Sequence, residues 1–420
     1  MKRFFLITLL FLNIWAVMAQ TSKEEMFQTI EKMGGVYYAY SMDIPTQTMA
    51  PKGYQPFYIS HYGRHGSRYL LSDQDYKWVV DLFVDARDKN ALTPLGLNVC
   101  NRLTEIWKEA EGHGGDLAPL GERQQRGIAE RMYKSYKEVF NEDAKMTARS
   151  TVVLRCAMTM DAFCERLKEL NPKLKITREA SNKYMNYLNF HTEESNLFTS
   201  EKGPWREEYR KFEESHTHPD RLITSLFSDK IYVTKKVNPY ALMWGFYWIA
   251  IDMQNMETPT SFYDLFQKEE LFDLWQSFNY RFYVCDSNSA QNNGLMIANA
   301  KPLLSNIIES ANEVIAKGNT GAAFRFGHDG NLIPLAALLQ LKDCDASISE
   351  PSEFYKFWSD FKIAPMGGNI QLIFFRKKAS NDVLVKFMLN EREILIPVKT
   401  DISPYYHWKD VENFYKGILR

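Results

Sequence analysis

An apolar residue recurs at every fourth position through Ile128, Met132, Tyr136 and Phe140. That spacing places one hydrophobic stripe along a helix and predicts a helix over 120–140. A second helix is predicted over 95–110. A third spans 153–170, with Ala157, Met160, Phe163, Cys164, Leu167 and Leu170 on one side and Asn171-Pro172 ending it. Between these lie short runs with strand character at 57–61, 145–148, 322–326 and 370–375. Residues 331–341 are apolar on nearly all sides, which predicts a buried helix, with Pro334 tolerated in its first turn. Residues 382–389 and 393–398 alternate around Asn390-Glu391, the pattern of a hairpin.

The texture changes in the middle of the chain. Residues 176–290 are rich in Tyr, Trp, Phe, Glu and Lys and have irregular helical periodicity. They read as an inserted, mostly helical cap domain, with Trp244, Phe246, Tyr247 and Trp248 as its core. The flanking 20–175 and 291–420 read as an α/β unit: a three-layer αβα core with a mostly parallel sheet. At the N-terminus, Lys2 and Arg3 precede an apolar run over 4–17, and Val17-Met18-Ala19 follows. This predicts a signal peptide over 1–19 and an exported, periplasmic or secreted protein. Neither this run nor the apolar stretch 241–253 is long enough to span a bilayer, and Cys does not follow Ala19, so a membrane anchor is not expected.

Composition narrows the picture in two ways. Five cysteines, Cys100, Cys156, Cys164, Cys285 and Cys344, cannot all pair internally. Cys156 and Cys164 are too far apart on one helix to bridge, and most of the five read as buried small residues. A net charge of −1 excludes a broad cationic face for nucleic acid.

Candidate chemistry sits in three segments that each follow a predicted strand: 61–68, 149–155 and 327–330. Polar residues beyond the carboxyl ends of strands are where open α/β sheets bind ligands. The second and third segments also lead into helices, whose first turns favour anions. Arg64, Arg68 and Arg155 offer planar forks suited to phosphate oxygens. His65, His328 and Asp329 offer a nucleophile, a donor and an acid. Arg149 is open between phosphate binding and a structural salt bridge, and Ser67 and Tyr69 between substrate contact and loop structure. Lys183, Lys235 and Lys236 are open between distant phosphates and plain surface. His61 and His65 have the spacing of a helical zinc pair, but Gly63 and the strand argue against a helix, leaving His61 in the core. His216 and His218 read as loop residues, and His113 and His407 have no assigned role.

Arg64-His65-Gly66-Ser67-Arg68 resembles the RHGxR signature of the histidine phosphatases. His328-Asp329 is similar to the C-terminal His-Asp pair of their acid phosphatase and phytase branch, and 149–155 resembles that branch's RSTxxxR segment. Residues 326–335 and 382–397 are similar to the multiple inositol polyphosphate phosphatases within it. Two departures stand out. Leu70 occupies the position where the family usually has proline, and Gly330 the position where the inositol polyphosphate group often has its acid, so Asp329 takes the phytase pattern. The resemblance implies a phosphomonoesterase with His65 as nucleophile and Asp329 as proton donor. Arg64, Arg68, Arg155 and His328 would bind phosphate, and neither metal nor cofactor is expected. The implied partner is a small phosphorylated substrate, foremost an inositol polyphosphate such as phytate. A broad acid or sugar phosphatase, a mutase and a non-catalytic phosphate binder are the alternatives. Oligomeric state stays open. The acid role requires the site to raise Asp329 to ~5 or above.

Overall fold

The computed structural model describes residues 22–378 and 380–420. The expected signal peptide, 1–19, lies outside the described residues. One sheet organises the molecule. Its strands are β1 (Tyr54–Arg64), β2 (Lys145–Ser150), β3 (Ile176–Ala180), β4 (Gly321–Gly327), β5 (Asn369–Lys377), β6 (Val383–Leu389), β7 (Arg392–Glu393) and β8 (Tyr405–His407). The order is β3-β2-β4-β1-β5-β6-β7, and β8 also pairs with β6. The run β3-β2-β4-β1 is parallel. Beyond it, β5 and β6 continue antiparallel.

Alternation along the strands feeds two apolar layers. On one face Ile59, Phe324, Phe326 and Ile373 meet Ile128, Met132, Phe163 and Leu167. Those last four come from helices α3 (Pro119–Ser135) and α4 (Leu154–Leu170), counted after α1 (Gln74–Asp88) and α2 (Pro94–Ala110). On the other face Tyr58, Tyr62, Leu372 and Phe374 join a cluster with Ile333, Leu335 and Trp408. Helices α5 (Pro239–Asp252) and α6 (Lys268–Asp286) precede α7 (Lys301–Ala316), α8 (Asp329–Leu338) and α9 (Trp408–Leu419). The core is therefore an α/β structure with helices on both faces of the sheet.

Several elements differ from their sequence pattern for local reasons. The helix predicted to reach 140 ends at Ser135, and a single 3-10 turn, Lys137–Val139, follows. The buried helix starts at Asp329 rather than 331, which places Pro334 inside it and not in its first turn. Asn390 and Glu391 form the two-residue turn, both with positive φ (52° and 62°) as such hairpins require. The second hairpin strand is only Arg392–Glu393, because β8 occupies the edge of β6 from Leu384 to Lys386. Ile176–Ala180, read with the inserted segment, is the edge strand of the core sheet beside β2. Trp244, Phe246 and Tyr247 are buried within α5, and Trp248 packs on Phe278 of α6 with ring centroids 4.9 Å apart. Among the described residues, no helix is long and apolar enough to cross a membrane. All five cysteines are unpaired and buried.

His61 lies in the middle of β1, not at its end, and faces the α3–α4 layer. It stacks on Phe163 at 5.4 Å, with Phe324 and Phe326 also against it, and neither ring nitrogen has a hydrogen-bond partner. Burial, with Arg325 adding, brings its pKa down to about 3. The unfolded chain takes up this proton near ~6.5 and the folded chain does not, so stability falls as pH drops from there towards 3. The difference amounts to about 2 kcal/mol at pH ~5 by linkage. His61→Leu is expected to flatten this decline, read as unfolding midpoints of variant and wild type compared between pH ~7 and ~4.5. Parallel curves would show that His61 is not responsible.

Candidate active site

Because β4 lies between β1 and β2, three segments distant in sequence end side by side. The loops leave the carboxyl ends of these strands and are tied by main-chain bonds. His65 N donates to Gly327 O at 3.0 Å, Thr151 N to Phe326 O at 3.0 Å, and Gly367 N to His65 O at 2.8 Å. At Gly66 the loop presses on α3: a Cβ there would lie 2.4 Å from the Gly121 carbonyl oxygen, so only glycine fits.

Arg64, Arg68 and Arg155 converge here, as the sequence suggests, but their surroundings differ. Arg64 is wholly buried. Its Nη1 donates to the carbonyls of Ala364 (2.7 Å) and Val36, and its Nη2 meets Asp329 Oδ2 at 2.8 Å. Arg68 donates to Tyr69 O (2.7 Å) and Tyr37 Oη (3.0 Å), and its guanidinium carbon lies 4.7 Å from the Tyr37 ring centroid. Arg155 stands in the first turn of α4 and is half-buried. The Nε–H groups of all three are buried and have no hydrogen-bond acceptor among the described residues. Arg102 and Arg149 also carry such an Nε–H, but only Arg64, Arg68 and Arg155 act together on His65, and that clustering suits an anion rich in oxygens.

His65 donates from Nδ1 to the Gly66 carbonyl at 2.9 Å. A carbonyl only accepts, so Nδ1 carries the proton and Nε2 keeps its lone pair. Burial, then Arg64, Arg68, Arg155 and His328, holds its pKa well below the usual imidazole range. His328 occupies the N-cap position of α8, with its ring 5.7 Å from that of His65, centroid to centroid. Its Nε2 lies 3.3 Å from Thr151 Oγ1 and 3.6 Å from Cys156 Sγ. Burial brings its pKa down to about 4, against the pull of Asp329. Both rings are therefore neutral at physiological pH.

Asp329 differs from the expectation that the site raises its pKa. Burial pushes it up, but Arg64, His328, Arg68 and the Gly330 N–H together outweigh burial and take it below the ordinary value. Its place in the first turn of α8 acts in the same direction. A second carboxyl stands close by: a Cβ on Gly330 would lie 3.3 Å from Asp286 Oδ1. Burial and Asp329 push Asp286 up to about 7.

Other residues singled out in the sequence are engaged elsewhere. Arg149 stacks on Tyr184 (4.2 Å) and donates to Tyr187 Oη at 3.1 Å, with Glu179 at 3.6 Å. Ser67 is buried, donating to Asn255 Oδ1 at 2.7 Å and accepting from Gln124 Nε2 at 2.9 Å. Tyr69 stacks on His113, and His216 on Phe212. Lys183, Lys235 and Lys236 are exposed.

Sequence reading missed the groups that hold the arginine loop: the Val36 and Ala364 carbonyls on Arg64, the Tyr37 hydroxyl on Arg68, Gln124 on Ser67, and Asp360 behind Val36. Asp360 accepts from Val36 N at 3.1 Å and from Trp275 Nε1 at 3.0 Å. Burial pushes its pKa up to about 6. Glycine pairing at 34–35 was the available sign of a special backbone there.

The family model for the histidine phosphatase superfamily (branch 2) matches residues 63–390. Comparison with curated protein sequences gives no match. Among solved structures, the Bifidobacterium longum multiple inositol polyphosphate phosphatase complex with inositol hexasulfate aligns with a TM-score of 0.72 at 16% identity, covering 93% of this chain and 97% of that one. The phytase from D. castellii aligns at 0.70 and 15% identity, covering 93% and 85%. Hafnia alvei phytase in complex with myo-inositol hexakis sulphate aligns at 0.53 and 14%, covering 88% and 98%. At these identities the likeness is one of fold. The family match runs through all three strand-end loops, and on that match the chain belongs to branch 2 of the histidine phosphatase superfamily.

Proposed function

We propose that the protein is a metal-independent phosphomonoester hydrolase that removes phosphates from inositol polyphosphates by way of a phosphohistidine. The observation that carries the reading is the convergence of three buried, acceptor-less Nε–H groups on a neutral histidine whose Nε2 is unprotonated. Phosphoryl transfer depends chiefly on positioning and on stabilising charge over the equatorial oxygens. Arg64, Arg68, Arg155 and His328 supply that stabilisation. The inositol polyphosphate substrate is supported by two structural neighbours of the same fold that carry inositol hexasulfate or myo-inositol hexakis sulphate. Export rests on the leader pattern of 1–19.

In the first step the Nε2 lone pair of His65 attacks phosphorus and the P–O ester bond breaks. The departing alkoxide takes a proton from Asp329. In the second step Asp329 accepts a proton from water as that water attacks the phosphohistidine, breaking the P–N bond. Phosphate and neutral His65 are released. Asp329 is ionised against Arg64 before substrate arrives. A bound phosphoryl group adds negative charge beside Arg64, Arg68 and Arg155 and raises the proton affinity of Asp329. The substrate thus prepares its own acid.

The test is phosphate release from phytate and p-nitrophenyl phosphate with a chelator present. Wild type is expected to stay active, and His65→Ala to lose at least ~10³-fold. Loss of activity in chelator would overturn the metal-independent step, and equal activity on sugar phosphates would broaden the substrate class. Asp329→Asn is expected to lose ~10²-fold or more on inositol phosphates. It should lose clearly less on p-nitrophenyl phosphate, whose leaving group needs no proton; equal losses on both would remove Asp329 as the acid. Nucleophile and acid also set the pH profile. His65 must be neutral, which holds above its lowered pKa, and Asp329 must be protonated in the complex, which holds below its raised one. The kcat profile is therefore a bell with its maximum below ~6.5, and a maximum in the alkaline range would contradict this pairing.

A further inference from the structure

The loop from Arg64 to Leu70 carries two of the three arginines, and its far side is held by residues outside the sheet. Leu70 N donates to Tyr76 Oη at 2.8 Å, and Tyr76 Oη donates to Asp252 Oδ2. Asn255 Nδ2 donates to Asp252 Oδ1 at 3.4 Å and to the Tyr37 carbonyl at 3.0 Å. The same Asn255 accepts from Ser67 Oγ at 2.7 Å through Oδ1. Tyr37, in turn, accepts from Arg68 through its hydroxyl. Tyr76, Asp252, Asn255 and Ser67 are each fully buried, and Leu70 nearly so. The chain of bonds thus leaves the loop at Leu70, crosses α1 and the end of α5, and returns to the loop at Ser67, with Arg68 between.

We propose that this buried relay, Tyr76–Asp252–Asn255, holds the 64–70 loop in its phosphate-binding shape, with Tyr76 and Asp252 as positioning residues for Arg68. The proposal rests on reading that loop as the phosphate site. Each member satisfies two others, so one deletion orphans several groups. Without the Tyr76 hydroxyl, the Leu70 N–H and Asp252 Oδ2 both lose that partner at a site that water does not reach, while Asp252 Oδ1 keeps Asn255. Such orphans cost about 1–3 kcal/mol each, and the loop relieves them by shifting. A shift of the loop moves Arg68, and through it the fit to phosphate. Leu70 is a suitable terminus because its amide is a donor that only a non-proline residue has. Burial pushes Asp252 up to about 7, with Tyr76 and Arg68 pulling the other way, so its hydrogen bonds and not its charge alone hold it in place.

The test measures inorganic phosphate binding by calorimetry on folded protein, well below each variant's unfolding midpoint. Tyr76→Phe is expected to weaken phosphate affinity about tenfold, the equivalent of one orphaned bond. Asp252→Asn keeps an acceptor for Tyr76 but turns an amide NH2 towards Asn255 Nδ2, so it should weaken phosphate binding less than Asp252→Leu, which removes both acceptors and should weaken it at least as much as Tyr76→Phe. Leu70→Pro placed in the Tyr76→Phe background removes one of the two orphaned groups, the donor, and should recover part of the lost affinity. A role confined to folding would lower the unfolding midpoint in every variant but leave phosphate affinity unchanged. Wild-type affinity in Tyr76→Phe, or equal weakening in Asp252→Asn and Asp252→Leu, would overturn the relay. A wild type that binds phosphate but hydrolyses no phosphomonoester would sink the proposed function and leave the relay standing. A wild type that does not bind phosphate would remove both.

Discussion

Positive charge in excess of the one carboxylate it meets is the constraint on which the rest of this structure depends. Arg64, Arg68 and Arg155 lie together, and Arg64 Nη2 meets Asp329 Oδ2 at 2.8 Å. Like charges at close range in a poorly solvated site repel. The repulsion has consequences in every neighbour. Burial first, with the guanidiniums adding, keeps His65 and His328 neutral, and attraction to Arg64, His328 and Arg68 holds Asp329 ionised against its own burial. The states of His65 and Asp329 thus share Arg64 and Arg68 as a cause.

Such a cluster survives folding only if the protein supplies dipoles where full counter-charges would block the site. Arg64 is held by the carbonyls of Val36 and Ala364, and Arg68 by the Tyr69 carbonyl and the Tyr37 hydroxyl. These partners satisfy donors without neutralising the charge that a phosphate would meet. They come from the segment at 36–37, from the loop itself at Tyr69 and from the segment before β5. The sheet order makes this possible: β4 between β1 and β2 brings the loops together, and antiparallel β5 places 364–368 against Arg64 and His65. The two apolar layers on either side of the sheet then fix the strand ends relative to one another.

Elements with a strong local pattern were legible. The stripe through Ile128 and Met132 is buried on the sheet, and the strands around Ile59, Phe324 and Ile373 fall where their runs place them. The Asn390-Glu391 turn was legible from the alternation on either side of it, and of its two positive-φ residues Asn390 is of a type that adopts that conformation readily. Boundaries that depend on a distant partner were not legible. The strand after that turn is cut short by β8, and Ile176–Ala180 joins the sheet because β2 has a free edge there. Within the site, Arg64, His65 and Arg68 were legible as one contiguous motif, and Arg155, His328 and Asp329 as strand-end residues of the right type. Arg149 has the same type and position as the others but turns to Tyr184 and Tyr187.

By itself, the sequence determined which side chains could bind and attack a phosphoryl group, because residue type and strand-end placement are local properties. Only the tertiary structure decided their chemical state. That Nδ1 of His65 carries the proton follows from the Gly66 carbonyl, and that Asp329 is ionised follows from a guanidinium 265 positions away in the chain. Tyr76, Asp252 and Asn255 look like ordinary helix residues until the fold brings them beneath the loop. Ionisation and hydrogen bonding are set by distance through space and by burial, and a linear pattern records neither.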